Sequence, residues 1–292
     1  MRMPVIFRFV LVCLLVVSFM APVAAEPLPV AVYSAQGEVK RTYDSDTLKV
    51  SLERFEDDTI LYYITKIWMA EPGRQIRKAT APWRKKLYFP SDMAKKIEAP
   101  VVVINGSGYV SPAFPWIPEN YPGVSRDYHY APLGSLTITD GKVFRDLAGV
   151  PYYGLTLEED GLHLYVGEDN QAVLSRNPTQ TWSFYTQCPL IQDHQSILDR
   201  SWGFANEPNI RTIICKKDQN NYVILTVTHK KSLGWTVVQC VDYLLAEIDP
   251  EWAYNLDGGP SSALLFREKD ARKMRTIYGN NSKDTDIMAF VE

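Results

Sequence analysis

The feature that most limits what this chain can fold into is a run of short alternating apolar stretches cut by Asp-Gly and Asp/Asn-rich breaks. Leu136 and Ile138 lead to Asp140-Gly141, after which Val143 resumes the pattern. Leu155 and Leu157 lead to Asp160-Gly161, followed by Leu162, Leu164 and Val166. Thr212 to Ile214 and Tyr222 to Val227 flank Asp218-Gln219-Asn220-Asn221. Apolar residues at every second place give a strand one buried face, and glycine in the turn takes positive φ without steric cost. These stretches read as a meander of antiparallel strands. Upstream, Leu48, Val50 and Leu52 alternate with Lys49, Ser51 and Glu53, and Ile60 to Trp68 follows Asp57-Asp58 as the second arm of a hairpin. Val101 to Ile104 is continuously apolar, as suits a strand buried on both faces, and ends in Asn105-Gly106-Ser107-Gly108.

Helical spacing is rarer. Val237, Val238, Val241, Leu244, Leu245 and Ile248 share one helix face, and Thr236 with Gln239 forms a capping-box pattern at its start. Asp249-Pro250 ends it, because the residue before proline is pushed out of the helical region. A second helix opens near Ser91, with Met93, Ala94 and Ile97 as its apolar face. No Gly/Ser/Pro linker and no internal repeat divides the chain. The expected fold is α+β: a single domain with a mostly antiparallel or mixed β-sheet and few helices.

Residues 1–25 read as a signal peptide. Arg2 and Arg8 precede an apolar run from Phe9 to Met20, and Val23 and Ala25 fit the small-residue cleavage positions. The run is shorter than the roughly 20 residues that span a bilayer, so no stable membrane span is expected after cleavage. Residues 26–44 then form an N-terminal extension and residues 45–292 the domain. This reading makes the protein exported, periplasmic or extracellular. Three cysteines remain, Cys188, Cys215 and Cys240, which leaves either one free thiol or three reduced and buried ones. With 46% hydrophobic residues the chain has the means to build a core, and a net charge of −3 offers no basic face for nucleic acid.

Chemistry concentrates in Asn255-Leu256-Asp257-Gly258-Gly259-Pro260-Ser261-Ser262. A strand from Trp252 to Leu256 delivers an amide and a carboxylate two residues apart. Two glycines then strip Cβ atoms from the backbone where a ligand could approach, and two hydroxyls follow. Asp-Gly-Gly alone would be just a turn; Asn255 before it and Ser261 after it make a site. His129, His163, His194 and His229 show no metal-ligand spacing, and His163 and His229 fall in strand patterns. Asp127 and His129, and the aromatic stretch Phe114, Trp116 and Tyr121, could reach a cleft from a loop. Ser261-Ser262 lacks the Gly-x-Ser-x-Gly frame of a nucleophile elbow.

The run resembles the Asn-Leu-Asp-Gly-Gly-x-Ser signature of the phosphodiester glycosidase family, which includes bacterial exopolysaccharide-associated proteins. Val103-Ile104-Asn105-Gly106, Gly134 to Gly141, Cys188-Pro189-Leu190-Ile191 and Arg211-Thr212 are similar to further family motifs, in family order. Three places depart from the pattern: Ser107-Gly108-Tyr109 after Asn105, Asp193-His194-Gln195 at a turn, and Lys283-Asp284-Thr285-Asp286 where an arginine is expected.

The resemblance implies an enzyme, a hydrolase that cleaves a sugar-1-phosphodiester or related glycosidic bond in envelope or extracellular polysaccharide. Its partner is then a carbohydrate or sugar-phosphate substrate. Such cleavage passes through an oxocarbenium-like state and needs a carboxylate plus donors for the phosphate. Asp257 is the expected carboxylate, Arg211 the phosphate fork, and Asn255 their companion. Asn105, Gly106, Gly258, Gly259 and Ser261 are the expected substrate contacts, Gly258 and Gly259 through backbone N–H groups. No cofactor is expected, although Asp257 with Asn255 could hold a divalent cation through oxygen. An ordinary exo-glycosidase, or a polysaccharide-binding protein acting in export or assembly without cleavage, would use the same pocket. Mass spectrometry of the exported protein should find Glu26 as its first residue; a mature chain that keeps residues 1–25 would contradict the signal-peptide reading.

Overall fold

A computed structural model describes residues 37–83, 85–109, 130–230 and 233–292. The signal peptide, Phe114, Trp116, Tyr121, Asp127 and His129 lie outside the described residues. The elements in order are β1 (Glu38–Asp44), β2 (Leu48–Glu56), β3 (Leu61–Met69), α1 (Pro72–Gln75), β4 (Ile76–Thr80), α2 (Pro90–Ala94) and β5 (Pro100–Asn105). There follow β6 (Leu136–Thr139), β7 (Lys142–Asp146), β8 (Tyr152–Glu158), β9 (Gly161–Glu168), α3 (Asn170–Leu174), β10 (Gln180–Trp182), β11 (Pro189–Gln192) and β12 (Gln195–Ser196). The last part holds β13 (Arg211–Lys216), β14 (Asn221–Val227), α4 (Val237–Glu247), β15 (Trp252–Asn255), β16 (Ala263–Phe266), β17 (Arg275–Gly279) and β18 (Asp286–Val291).

The strands form an eight-stranded sheet in the order β1-β2-β3-β14-β13-β15-β11-β12 and a five-stranded sheet in the order β17-β16-β5-β18-β4. Two small sheets, β10-β8-β9 and β6-β7, complete the fold. Every pairing between these strands is antiparallel. The α+β expectation of a largely antiparallel domain with few helices therefore holds. Each expected hairpin forms, but they do not make one meander. β6–β7 is a sheet by itself, β8–β9 belongs to the three-stranded sheet and β13–β14 to the large one. Strand alternation tells which face is apolar, not which sheet a hairpin joins. Residues 38–44, expected in the extension, pair with β2 as an edge strand.

Alternation sorts the cores. Leu48, Val50, Leu52, Ile214 and Tyr254 face Val102, Ile104, Leu264, Met288 and Phe290 in the core between the two large sheets. Ile213, Cys215 and Ala253, one position over, face α4 through Val237, Val241 and Leu244. Ile287, Ala289, Val103 and Leu265 face α2 through Met93 and Ala94. The second helix is only one turn longer than its cap, and Ile97 packs beyond its end. Cys188, Cys215 and Cys240 are all free and buried. Asp193-His194, standing where Asp-Gly was expected, still makes the two-residue turn between β11 and β12, with φ of 50° and 61°. Among the described residues no helix is long and apolar enough to cross a membrane.

The capping box on α4 is complete. Thr236 Oγ1 accepts the Gln239 N–H at 3.0 Å, and Gln239 Oε1 accepts the Thr236 N–H at 2.9 Å. Because this helix packs its apolar face on the outer core, Thr236→Ala should destabilise the protein by about 1 kcal/mol. In thermal unfolding that is a fall in Tm of roughly 2–4 °C.

Candidate active site

Two strand ends and one loop meet here. β5 and β18 are neighbours in the five-stranded sheet, and β15 leaves the other large sheet beside them. Asn105, the last residue of β5, holds both ends of the loop after β15. Its Nδ2 donates to the Asp257 carbonyl at 2.7 Å, and its Oδ1 accepts the Ala263 N–H at 3.1 Å. The Asp257 N–H donates to the Gly106 carbonyl at 3.1 Å. Gly106 is obligatory for contact reasons: a Cβ there would stand 1.9 Å from Asp286 Oδ1.

The expected glycine donors are already used. The Gly258 N–H donates to Asp257 Oδ1 at 2.8 Å, and the Gly259 N–H to the Ile210 carbonyl at 2.9 Å. Gly259 adopts φ +57°, and a Cβ on Gly258 would meet the Ile210 carbonyl at 2.8 Å. These glycines let the loop fold against Ile210 rather than present N–H groups to a substrate.

Asn255 and Arg211 are drawn elsewhere. β15 ends at Asn255, so strand alternation does not carry through to Asp257. Asn255 lies opposite Ile213 and is fully buried. Its Nδ2 donates to the Leu256 carbonyl at 2.9 Å, and its Oδ1 has no partner among the described residues. Arg211 shares the facing of Ile213 and Cys215 by the two-residue period and is fully buried. Its guanidinium donates to the carbonyls of Glu207 (2.6 Å), Phe204 (3.2 Å) and Trp235 (3.4 Å) and stacks 4.2 Å from the Phe204 ring. Nη1 is left without a partner among the described residues. A buried arginine that holds three loop carbonyls is a post for the 204–207 turn, not an open phosphate fork.

What gathers around Asp257 is a second carboxylate. Asp284 is 1% exposed, and among the described residues neither of its oxygens meets a donor in hydrogen-bond geometry. Its backbone is pinned to Tyr88 by two hydrogen bonds of 2.8 and 3.1 Å. The Ser261 hydroxyl lies close enough to lower the pKa of both Asp257 and Asp284. Burial pushes Asp257 up to about 7, against the pull of the Gly258 N–H and Ser261, with Asp286 adding to the rise. Burial pushes Asp284 well up as well, and the charge on Asp257 adds to it. Two such groups titrate as a pair, and each keeps its proton to a higher pH than a free aspartate does.

Aromatic residues wall the pair. Burial, then the charges of Asp284 and Asp257, raise Tyr109 to about 12; burial, then Asp257, raise Tyr185 to about 12. Tyr185 continues into a cluster with Phe184 (4.2 Å), Phe204 (6.0 Å) and Trp202 (6.1 Å). Beneath, Asp286 accepts the Ser107 N–H at 2.6 Å and its hydroxyl at 2.9 Å, and pairs with fully buried Lys78 at 3.0 Å. Among the described residues the one trio with metal-ligand spacing is Glu158, Asp160 and His163, on the β8–β9 hairpin and not at Asp257. A wide groove of about 950 Å³ lined by Lys49, Trp68 and Tyr243 lies on the outer face of the large sheet and includes none of these groups.

A family model described as phosphodiester glycosidase matches residues 100–289. The protein belongs to that family. The matched span holds Asn105, Asp257, Ser261 and Asp284, and the family is one of glycosidase-type hydrolases that act on carbohydrate. The catalytic domain of zebrafish N-acetylglucosamine-1-phosphodiester alpha-N-acetylglucosaminidase, auto-inhibited by its pro-peptide, is similar in structure. It superposes with a TM-score of 0.61 at 16% identity, covering 90% of this chain and 91% of that one. A hypothetical protein from Synechocystis superposes with a TM-score of 0.55 at 12% identity, covering 87% of this chain and 64% of that one. At these identities the two structures attest the fold. No curated protein sequence matches.

Asp284, Tyr109, Tyr185 and the Lys78–Asp286 pair escaped the sequence reading. The available signal was two acids on either side of Thr285 just before an apolar strand, at the place of an expected arginine.

An acid whose folded pKa is raised favours folding fully below its ordinary value of 3.8, and that contribution is lost as pH rises toward about 7. Asp257→Asn should therefore match the parent near pH 4 and exceed it at pH 8. Discounted for its partial exposure, the gain is roughly 1–2 kcal/mol, read as a rise in Tm of several degrees. A variant less stable than the parent at pH 8 would contradict an Asp257 whose charge burial disfavours.

Proposed function

We propose that the protein is an exported hydrolase of sugar phosphodiesters or related glycosides in envelope or extracellular polysaccharide, with Asp257 and Asp284 as its acid–base pair. The observation that carries this reading is that the buried Asp284 and the partly buried Asp257 meet at the hydroxyl of Ser261, on the loop that bears the family signature. Family membership supports the reaction class, and the leader-like residues 1–25 support export.

The roles follow from the two pKa directions. Asp284, raised by burial and by its neighbour's charge, holds the proton. Asp257, whose charge is part of what raises Asp284, is the ionised partner above about pH 7. Water attacks the anomeric carbon and gives its proton to Asp257. The carbon–oxygen bond to phosphate breaks, and Asp284 supplies its proton to the departing phosphate oxygen. The products are a reducing sugar and a phosphate monoester. Phosphate is already a competent leaving group, so most of the stabilisation falls to the Asp257 charge facing the developing oxocarbenium ion. Ser261 keeps the two carboxyls in register, and Tyr185 with Trp202 and Phe204 offers ring faces to a sugar.

With a synthetic sugar-1-phosphodiester, kcat/KM should fall about 10²–10⁴-fold in Asp257→Asn and in Asp284→Asn. The parent should lose activity as pH drops through about 7, where Asp257 gains its proton. Unchanged turnover in either variant would remove that residue from the mechanism. Preference for a neutral aryl glycoside would mark an ordinary exo-glycosidase. Saturable sugar binding by the parent with no product would favour the polysaccharide-binding reading instead.

A further inference from the structure

A second, smaller cleft lies between β4 and the β6–β7 hairpin. It has a volume of about 190 Å³ and is lined by residues that include Trp83, Phe144, Thr137, Thr139 and Thr285. At ~30 Å³ for each water, that is space for about six waters or one ring-sized group. Two of its walls are aromatic: Trp83 and Phe144 sit 5.4 Å apart at 36°, with Arg145 5.5 Å over the Trp83 ring and Lys142 5.1 Å over the Phe144 ring. Phe144 is among the few large apolar residues exposed on the described surface, at 39%.

The floor is polar and unsatisfied. Thr137 and Thr285 are 1% and 3% exposed, and neither hydroxyl has a hydrogen-bond partner among the described residues. A buried hydroxyl without a partner costs stability, and valine at either position would fill the same space without that cost. Two of them in one cleft, under two aromatic rings, make a surface that is completed by a ligand with both apolar C–H faces and hydroxyl groups. A sugar ring has both.

We propose that this cleft is a second saccharide-binding site. Its position gives it a purpose if the catalytic reading above is right. Thr285 stands between Asp284 and Asp286 in sequence, yet of these three only Thr285 lines the cleft. A saccharide unit held by Thr285 is therefore one residue along the backbone from the proposed acid. The site would take a further unit of an extended glycan and select polymer over monosaccharide phosphodiester. Lys96, whose ammonium lies at the rim and donates to the Thr80 carbonyl at 3.0 Å, leaves inorganic phosphate as the competing occupant.

Ligand-observed saturation-transfer NMR on the full chain separates these outcomes, with N-acetylglucosamine, methyl α-D-glucoside and inorganic phosphate as probes. At least one sugar should bind the parent protein. Its binding should weaken at least about tenfold in Trp83→Ala and in the isosteric Thr137→Val and Thr285→Val, and persist in Asp257→Asn. The two valine variants should keep or raise Tm, so that lost binding is not lost folding. The proposal is overturned if no sugar binds at tens of millimolar, if binding survives all three cleft variants, if it disappears in Asp257→Asn, or if phosphate alone binds. A parent protein that binds sugar here yet hydrolyses no phosphodiester would leave the cleft standing and sink the catalytic reading.

Discussion

The proposed active site depends on one carboxamide. Asn105 donates to the carbonyl of Asp257 and accepts from the N–H of Ala263, so one side chain at the end of β5 clamps both ends of the loop after β15. The two strands belong to different sheets. The clamp therefore ties the sheets together at the point where the loop turns, and fixes where the Asp257 carboxylate stands. Asn105 was expected to touch substrate. Fully buried, with its amide bonded to the backbone at both ends of the loop, it positions Asp257 instead.

Placement alone would not give chemistry; the second ingredient is a deliberate imbalance in how acids are paired. Asp286 has a buried lysine and two donors from Ser107, and its burial is compensated. Asp284, two residues earlier and equally buried, has among the described residues no cation in contact and only the Ser261 hydroxyl nearby. An uncompensated buried carboxyl keeps its proton, and a neighbouring one shares the consequences. The same short segment thus supplies a structural anchor and a proton-bearing acid, with the difference set by what lies opposite each side chain. Stability is given up at this spot, as is common where a site must hold groups in unfavourable protonation states.

Much of the fold was legible because its signals are local. The capping box at Thr236 and Gln239, the one-and-four spacing of α4, and the Asp-Gly turns each lie within a few residues, and all formed as read. The loop from Asn255 to Ser261 was also found where expected. The partners of these elements were not legible, because sheet membership and facing are decided by contacts between distant strands. β18 lies between β4 and β5, so Asp286 meets Lys78 and Ser107 across separations of about two hundred residues. That pairing brings Asp284 to Asp257, and nothing near residue 284 announces it. Arg211 and Asn255 show the reverse error. Their types suited phosphate and sugar, but the two-residue period of β13 and β15 turned both toward α4.

The central claim is that Asp257 and Asp284 form a buried pair that retains a proton near neutrality. The most direct measurement is a titration of the carboxyl carbons of the aspartates by ¹³C NMR, with Asp257→Asn and Asp284→Asn used to assign the two resonances. One carboxyl should titrate near pH 7 and the other above the ordinary carboxylate range, with Asp284 moving down when Asp257 is replaced. Two independent titrations near pH 4 would contradict it, and with it the acid–base pair at the heart of the proposed site.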